Sequence, residues 1–356
     1  MRSADLRLDT PLHPADFSRP VPTEAKCPWC TGRKSNSWWL NRGKSQFSLL
    51  CCATCRLLYT SPQLPPQEIA HWYGQSYYGE QNSRFNFIFE TLITWFRRRR
   101  AARLCKYRTA PGAVLDIGCG RGHFLSALRE SGWSCTGTEL SETAAQHARD
   151  VLKLDVHTGP FSDGSFPNSS FDAIYLWHVL EHIASTKDAL TSVRRILRPG
   201  GMLVIALPNV ESWQARLCRY GWFHLDLPRH YVHCSAAWLV ETLISLGFRI
   251  MEVNHFSFEQ NVYGWIQSML NCSRLKTNLL YDILKRKSAR EIDRPLRRHP
   301  VQSIISIIFA AALLPAAIVA AVLEAIFRRG GTIEIYAESP EEPRIDQSAQ
   351  ASLIIR

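Results

Sequence analysis

The first ten residues, Met1 to Thr10, contain no apolar stretch and carry Arg2, Asp5, Arg7 and Asp9, so the pattern of a secretory signal peptide is missing. Without export, the eleven cysteines are expected to stay reduced in a cytoplasm, which argues against a disulfide framework. Closely spaced Cys pairs then point to metal. Acidic residues are also scarce, 31 against 42 Lys and Arg, which leaves a formal charge of +11. The excess is uneven, with one block at Arg97 to Arg100 and another at Lys285, Arg286, Lys287, Arg290, Arg294, Arg297 and Arg298. Such blocks attract phosphates, on nucleic acid or on anionic lipid, and serve equally as solvated helix faces. No internal repeat is present. What the chain does have is an ordinary globular balance, 46 % hydrophobic and 21 % charged residues over 356 positions, which excludes wholesale disorder and leaves room for one main domain with attachments.

Composition divides the chain. Residues 1–22 are rich in Pro, Asp and Arg without periodicity and form a disordered leader; 23–62 hold five cysteines; "SPQLPP" then marks a boundary, and 63–110 are a helical linker. From Ala113 onward short apolar runs alternate with helix-like segments. "AVLDIG", "CTGTEL", "FDAIYLW" and "GMLVIALP" are strand-like, and 121–131, 141–150 and 187–197 are helical, the rhythm of a parallel sheet covered on both faces. This core occupies 111–258. "GFRIMEVNHFSF" and "GTIEIYAES" add two further strands, the second at 331–340, and between them 259–330 form a basic and hydrophobic insertion before a tail at 341–356.

The sharpest local signal is "AVLDIGCGRGHF", a buried strand followed at once by Gly118, Gly120 and Gly122. Glycines there let the backbone turn tightly and approach a ligand. A dinucleotide fingerprint would place its third glycine one position later, where His123 stands, and this weakens a nicotinamide reading. Glu139 ends the next strand about twenty residues on, at the distance of a ribose-binding carboxylate.

The glycine turn together with "FDAIYLWHVLEHI", "VRRILRPGGMLVIALPN" and "LDLPRHYVHCSAAWLVETLISLGF" closely resembles class I S-adenosylmethionine-dependent methyltransferases, from about Val114 to Val253. The later blocks resemble the branch of quinone-biosynthesis O-methyltransferases. The resemblance implies a Rossmann-like seven-stranded α/β sheet, here with an N-terminal zinc ribbon and a C-terminal hydrophobic helical insertion. It implies S-adenosylmethionine as cofactor, held at Asp116, Gly118, Gly120, Gly122, Glu139 and Trp177, with Asp163 near the adenine. The acceptor is a small molecule, a saccharide or a lipid-linked compound. For a hydroxyl acceptor, His178, His182 and His230 are the candidates for a general base. His178, Glu181 and His182 are also spaced to share a divalent cation, as an "EH" pair does in the similar ubiquinone-type enzymes, although capping and packing would explain the pair equally well.

"CPWC" and "CATC" place Cys27, Cys30, Cys52 and Cys55 as two C-x2-C pairs twenty-one residues apart, the spacing of a structural zinc ribbon; Cys51 fits less well than Cys52. The stretch from Cys55 through "HWYGQSYYGE" resembles the zinc-bearing leader of bacterial methyltransferases of sugar and surface-polysaccharide pathways. Few basic residues lie between Cys27 and Tyr59, so a module that shapes the acceptor site is favoured over nucleic-acid binding. An RNA methyltransferase and a non-catalytic scaffold that binds the donor are the alternatives. Finally, Val301 to Leu323 contain no charged residue, enough chain to cross a bilayer as a helix. Pro315 lies near its middle, basic residues flank both ends, and a core strand follows. A re-entrant hairpin on an anionic cytoplasmic membrane surface is therefore expected, with a buried helix pair in a homodimer as the alternative.

Overall fold

The computed structural model describes residues 26–39, 47–65, 68, 87–108, 110–162, 164–284 and 298–340. The disordered-leader reading of 1–22, the tail from 341, Asp163, and most of the second basic block therefore lie outside the described residues, as does much of the linker. Near the N-terminus β1 (Ser35–Trp39), β2 (Ser48–Cys52) and β3 (Leu58–Ser61) form an antiparallel meander. The helix α1 (Phe87–Tyr107) leads into the main domain.

The alternating core begins with β4 (Ala113–Ile117), α2 (His123–Glu130), β5 (Ser134–Glu139), α3 (Glu142–Asp150) and β6 (Asp155–Thr158). It continues through β7 (Phe171–Trp177), α4 (Thr186–Ile196), β8 (Leu197–Pro208), the short α5 (Trp213–Cys218) and the two-residue β9 (Val232–His233). Then come α6 (Ala236–Ser245) and β10 (Arg249–Asn254). The central strands are predominantly apolar because helices cover both faces of the sheet: Val114, Leu115, Ala173, Ile174, Leu176, Leu203, Val204 and Ile205 are fully buried. Serines start three of the helices as N-caps, with Ser141, Ser212 and Ser235 accepting from the backbone N–H three residues on.

After β10 one irregular turn (Phe258–Val262) opens α7 (Tyr263–Asn271), followed by α8 (Leu279–Leu284), α9 (Pro300–Ile326) and the closing strand β11 (Thr332–Glu338). The seven-stranded sheet has the order β10-β11-β8-β7-β4-β5-β6, and β11 runs antiparallel to both of its neighbours. The four-stranded sheet β1-β2-β3-β9 ends on a strand that belongs, in sequence, to the main domain.

The hydrophobic insertion differs from expectation. Pro315 does not divide it into two arms: α9 is one continuous helix of 27 residues with Pro315 inside it. A proline forfeits one i to i−4 hydrogen bond, but the Ala-rich turns around it leave room for the ring and the long helix propagates on both sides. One narrow face of α9 packs on α7 and α8 through Leu313, Ala317 and Ala321 against Val262, Trp265, Ile266, Leu270 and Leu280. At its C-terminal end Glu324 is buried, and its carboxylate accepts from the Gln214 backbone N–H (2.9 Å), the Gln214 side-chain amide (3.2 Å) and the Trp265 indole (2.9 Å). This carboxylate ties α5, α7 and α9 together, although burial pushes it up to about 7. Glu324→Ala strands three buried donors and is expected to lower stability by about 2–4 kcal/mol, read as a drop in the denaturation midpoint; a change within about 0.5 kcal/mol would show the clasp to be idle.

Candidate active site

The sheet changes direction between β4 and β7, where one half of the strand order runs towards β6 and the other towards β8. Crevices at such a point, beyond the C-terminal ends of parallel strands, are where open α/β sheets take ligands. Asp116, Gly118, Gly120, Gly122, Glu139 and Trp177 all stand there, on the ends of β4, β5 and β7 or in the turn after β4.

The three glycines share a left-handed backbone, φ +73°, +57° and +77°, but for different reasons. A Cβ on Gly118 would meet Val179 at 2.5 Å, and one on Gly122 would meet Leu154 at 2.5 Å and Ala148 at 3.0 Å, so both are pressed between elements. Around Gly120 nothing comes within 4 Å, and that side of the turn is open. Glu139 braces the turn from beneath: it is buried and accepts from the Gly120 N–H at 2.8 Å and the Ser141 N–H at 2.9 Å. Asp116 is buried beside it, and burial pushes its carboxyl up to about 7, with Arg100 opposing the shift and Glu139 adding to it.

Arg100 was legible only as one charge in a run of four, yet α1 delivers it into the site. Its guanidinium lies over the Trp177 ring, 4.0 Å from the centroid, and 3.9 Å from Glu259. Such placement depends on how α1 packs on the sheet, and no local pattern announces it.

His178 follows β7 directly in a left-handed conformation, φ +54°, a region that histidine enters more readily than most residues other than glycine. Its Nδ1 is 3.3 Å from the buried Glu181 carboxylate, and its buried Nε2 has no hydrogen-bond partner. His224, another residue the sequence did not single out, stacks on it at 6.0 Å. The expected trio of His178, Glu181 and His182 does not share one point. Leu180–His182 form a single 3-10 turn, which removes the helical spacing on which that grouping relied. Instead Glu181, His182 and His230 have ligand atoms within 4.8 Å of one another, a set that could hold a metal ion. His182 fixes its tautomer by donating from Nδ1 to the Arg229 carbonyl at 3.1 Å, which leaves the lone pair on Nε2. His230 packs edge-on to His182 at 4.5 Å; burial, with the neighbouring His182 and His233, holds it well below the usual histidine range, so it stays neutral. That makes it a better ligand than proton acceptor.

Cys27, Cys30, Cys52 and Cys55 also form one group within 4.8 Å, with Cys27 to Cys55 at 3.5 Å and Cys30 to Cys52 at 3.4 Å. Burial pushes the Cys27 thiol up to about 11, while backbone N–H groups of Cys30 and Trp29 favour its thiolate, as a metal would. Cys51 turns away to the Cys52 and Arg56 carbonyls. The ribbon meets the histidines through Thr60: its hydroxyl donates to the His230 carbonyl at 2.5 Å, so the 3.0 Å contact with His233 Nε2 is an N–H donated back to Thr60.

A seven-stranded sheet of this order, a glycine turn after its first strand and an acidic residue ending the second define a nucleotide-type cofactor domain of the Rossmann-like class. Residues 84–253 match the methyltransferase-domain family Methyltransf_23, and this part of the chain is a class I S-adenosylmethionine-dependent methyltransferase domain. It is 27 % identical over 161 residues to a probable S-adenosylmethionine-dependent methyltransferase of Mycolicibacterium smegmatis, covering 44 % of this chain and 60 % of that protein. It is 32 % identical over 151 residues to the ubiquinone biosynthesis O-methyltransferase of Caulobacter vibrioides, covering 39 % and 56 %. The chain thus spans little more than half the length of these curated relatives. A solved S-adenosylmethionine-dependent methyltransferase of Archaeoglobus fulgidus aligns over 71 % of this chain and 98 % of its own at 21 % identity, TM-score 0.42.

The two kinds of glycine separate experimentally. Gly122→Ala, which adds a collision to an unfavourable φ, is expected to cost about 2–4 kcal/mol of stability, whereas Gly120→Ala costs only the backbone term of about 1 kcal/mol. Thermal denaturation of the two variants checks this, and equal losses would contradict the packing assigned to Gly122.

Proposed function

We propose that the protein transfers the methyl group of S-adenosylmethionine to a hydroxyl of a small-molecule, saccharide or lipid-linked acceptor, with His178 as general base. The observation that carries this reading is the His178–Glu181 pair standing immediately beside the glycine turn, since the side chain of Val179, the next residue, is what Gly118 presses against. In this reading Glu139 receives the donor's ribose, Gly120 leaves room for its backbone contact, and Asp116 with Arg100 faces its charged amino-acid end. Trp177 flanks the sulfonium region. The Glu181 carboxylate, 3.3 Å from Nδ1, favours the proton on that nitrogen, so Nε2 offers its lone pair. The acceptor oxygen attacks the methyl carbon as the carbon–sulfur bond breaks, its proton passes to His178 Nε2, and S-adenosylhomocysteine leaves. Alignment supplies most of the acceleration, and the base adds roughly 10² to 10⁴.

A divalent cation at Glu181, His182 and His230 is the second reading, favoured by their convergence and by two buried Glu181 oxygens that accept no hydrogen bond. Such an ion would lower the acceptor's hydroxyl pKa. The two readings part on variants. His178→Ala should reduce transfer by about 10² or more with donor affinity by calorimetry unchanged, while His230→Ala should retain most turnover. Loss confined to His230→Ala, restored by added Mg²⁺ or Mn²⁺, would move the role to the cation.

The four cysteines fit a structural zinc: their sulfurs approach as ligands of one tetrahedral ion would, and backbone N–H groups favour thiolate. Zinc would fix the meander whose β3 pairs with β9, the strand next to His230. Few basic residues line this module, so acceptor shaping is preferred over RNA binding. The exposed apolar surface of α9 supports attachment to the cytoplasmic face of a membrane over burial in a homodimer. Cys55→Ser should remove one zinc per chain by elemental analysis and depress transfer while S-adenosylhomocysteine still binds at the glycine turn. Full transfer by a zinc-free, folded variant would separate the ribbon from the acceptor site.

A further inference from the structure

Further exposed apolar side chains stand beyond the C-terminal end of α9. Val301, Ile304, Ile308, Phe309, Val319 and Ile326 are each 55 to 67 % exposed, so the outward face is apolar from the first turn to the last. At the C-terminal end of the helix the chain abuts the turn after β10. Gly330 has no room for a Cβ against the His255 carbonyl, at 1.8 Å, and Asn261 of that turn accepts from the Thr332 N–H at 2.9 Å. The same turn holds out Phe256 and Phe258, 38 % and 40 % exposed. Phe258 stacks on Phe96 of α1 at 6.2 Å, and Phe96 meets Trp95, itself 49 % exposed, at 5.0 Å. Arg99 lies over the Trp95 ring at 4.9 Å, and Arg98 beside it is 68 % exposed.

We propose that α9, Phe256, Phe258 and Trp95 form one continuous face that lies in the plane of an anionic bilayer, with Arg98 and Arg99 at its headgroup rim. The proposal rests on the membrane attachment inferred above and adds how the protein sits. The occupant follows from chemistry. An aromatic and aliphatic surface bordered by Arg, with a Trp at the border, matches the layered polarity of a lipid interface. Soluble proteins rarely leave so large an apolar face in water. A crossing orientation conflicts with the inner face of α9. The α7 helix packed there has nine residues, about 14 Å, under half of a roughly 30 Å hydrocarbon layer. The turn that follows carries exposed Arg274 and Lys276 and touches the first turn of α9, where the Lys276 N–H donates to Gln302 at 3.1 Å. Upright insertion would draw those charges, and the Gln267–Asn271–Asn278 hydrogen-bond ladder, towards the apolar layer. Lying flat, the helix sinks only its apolar side.

The test uses the full chain with vesicles of phosphatidylcholine alone and of phosphatidylcholine mixed with phosphatidylglycerol. The double variant Phe256→Ser, Phe258→Ser, away from α9, should lower partition onto the mixed vesicles about tenfold or more. Arg98→Gln with Arg99→Gln should remove most of the preference for anionic vesicles, again about tenfold. Lipids brominated near the headgroup should quench wild type more than Trp95→Phe. Both double variants should bind S-adenosylhomocysteine as wild type does, and loss of donor binding in wild type itself would sink the methyltransferase reading while leaving the vesicle result standing. Unchanged partition of the phenylalanine variant, equal quenching with and without Trp95, or a stable dimer that ignores vesicles would overturn the proposal.

Discussion

A relay of backbone hydrogen bonds joins the two halves of the molecule, and the histidine cluster depends on it. The Thr60 N–H donates to the Tyr231 carbonyl at 3.0 Å, and the Tyr231 N–H donates to the Glu181 carbonyl at 2.8 Å. The cysteine meander is thereby coupled, residue by residue, to the turn that follows β7. His178, Glu181, His182, His230 and His233 all lie on or beside this relay. A small module with only a thin core of its own holds its shape poorly unless something else fixes it. Four converging sulfurs are the means available, so order among the cysteines and order among the histidines are parts of one constraint.

The donor side is built differently. Its geometry is local, set by the steric demands of three glycines and by one buried carboxylate, Glu139, that accepts from the turn it supports. Pressing Gly118 onto Val179 brings this local structure against the relay, so the cofactor turn and the histidine pair share a wall. Coupling between the sites therefore runs through van der Waals contact at Val179, the residue next to His178. No charge needs to travel between them.

These two styles of construction explain what could be seen in the sequence. The glycine turn, the alternating strands and helices, the closing strand and the paired cysteines are all encoded within windows of a dozen residues, where periodicity and spacing are informative. Arg100 and His224 could not be found that way, because each acquires its place from the packing of an element far away in the chain. The grouping of Glu181 and His182 with His230 rather than His178 turned on one turn winding as a 3-10 helix, a choice that the sequence "VLEH" does not dictate. Pro315 misled for a related reason: its local tendency to break a helix was outweighed by the twenty-six other residues of an apolar helix packed along α7 and α8.

The position of α9 in the chain matters as much as its composition. It is inserted between β10 and β11, which pair with each other, so both ends of the insertion are tied to one sheet edge. Glu324 fixes its last turn to α5 and α7, and the donors that hold this carboxylate come from Gln214 and Trp265. Gln214 in turn lies against Gly264 and Gly331, and a Cβ on Gly264 would also meet His224 Nε2 at 3.0 Å. Only one layer of side chains therefore separates the apolar helix from the ring stacked on His178. A helix that merely anchored the protein could have been appended at an end of the chain. Placing it within the sheet, clasped beside the histidine cluster, fixes the orientation of that cluster relative to whatever surface α9 rests upon.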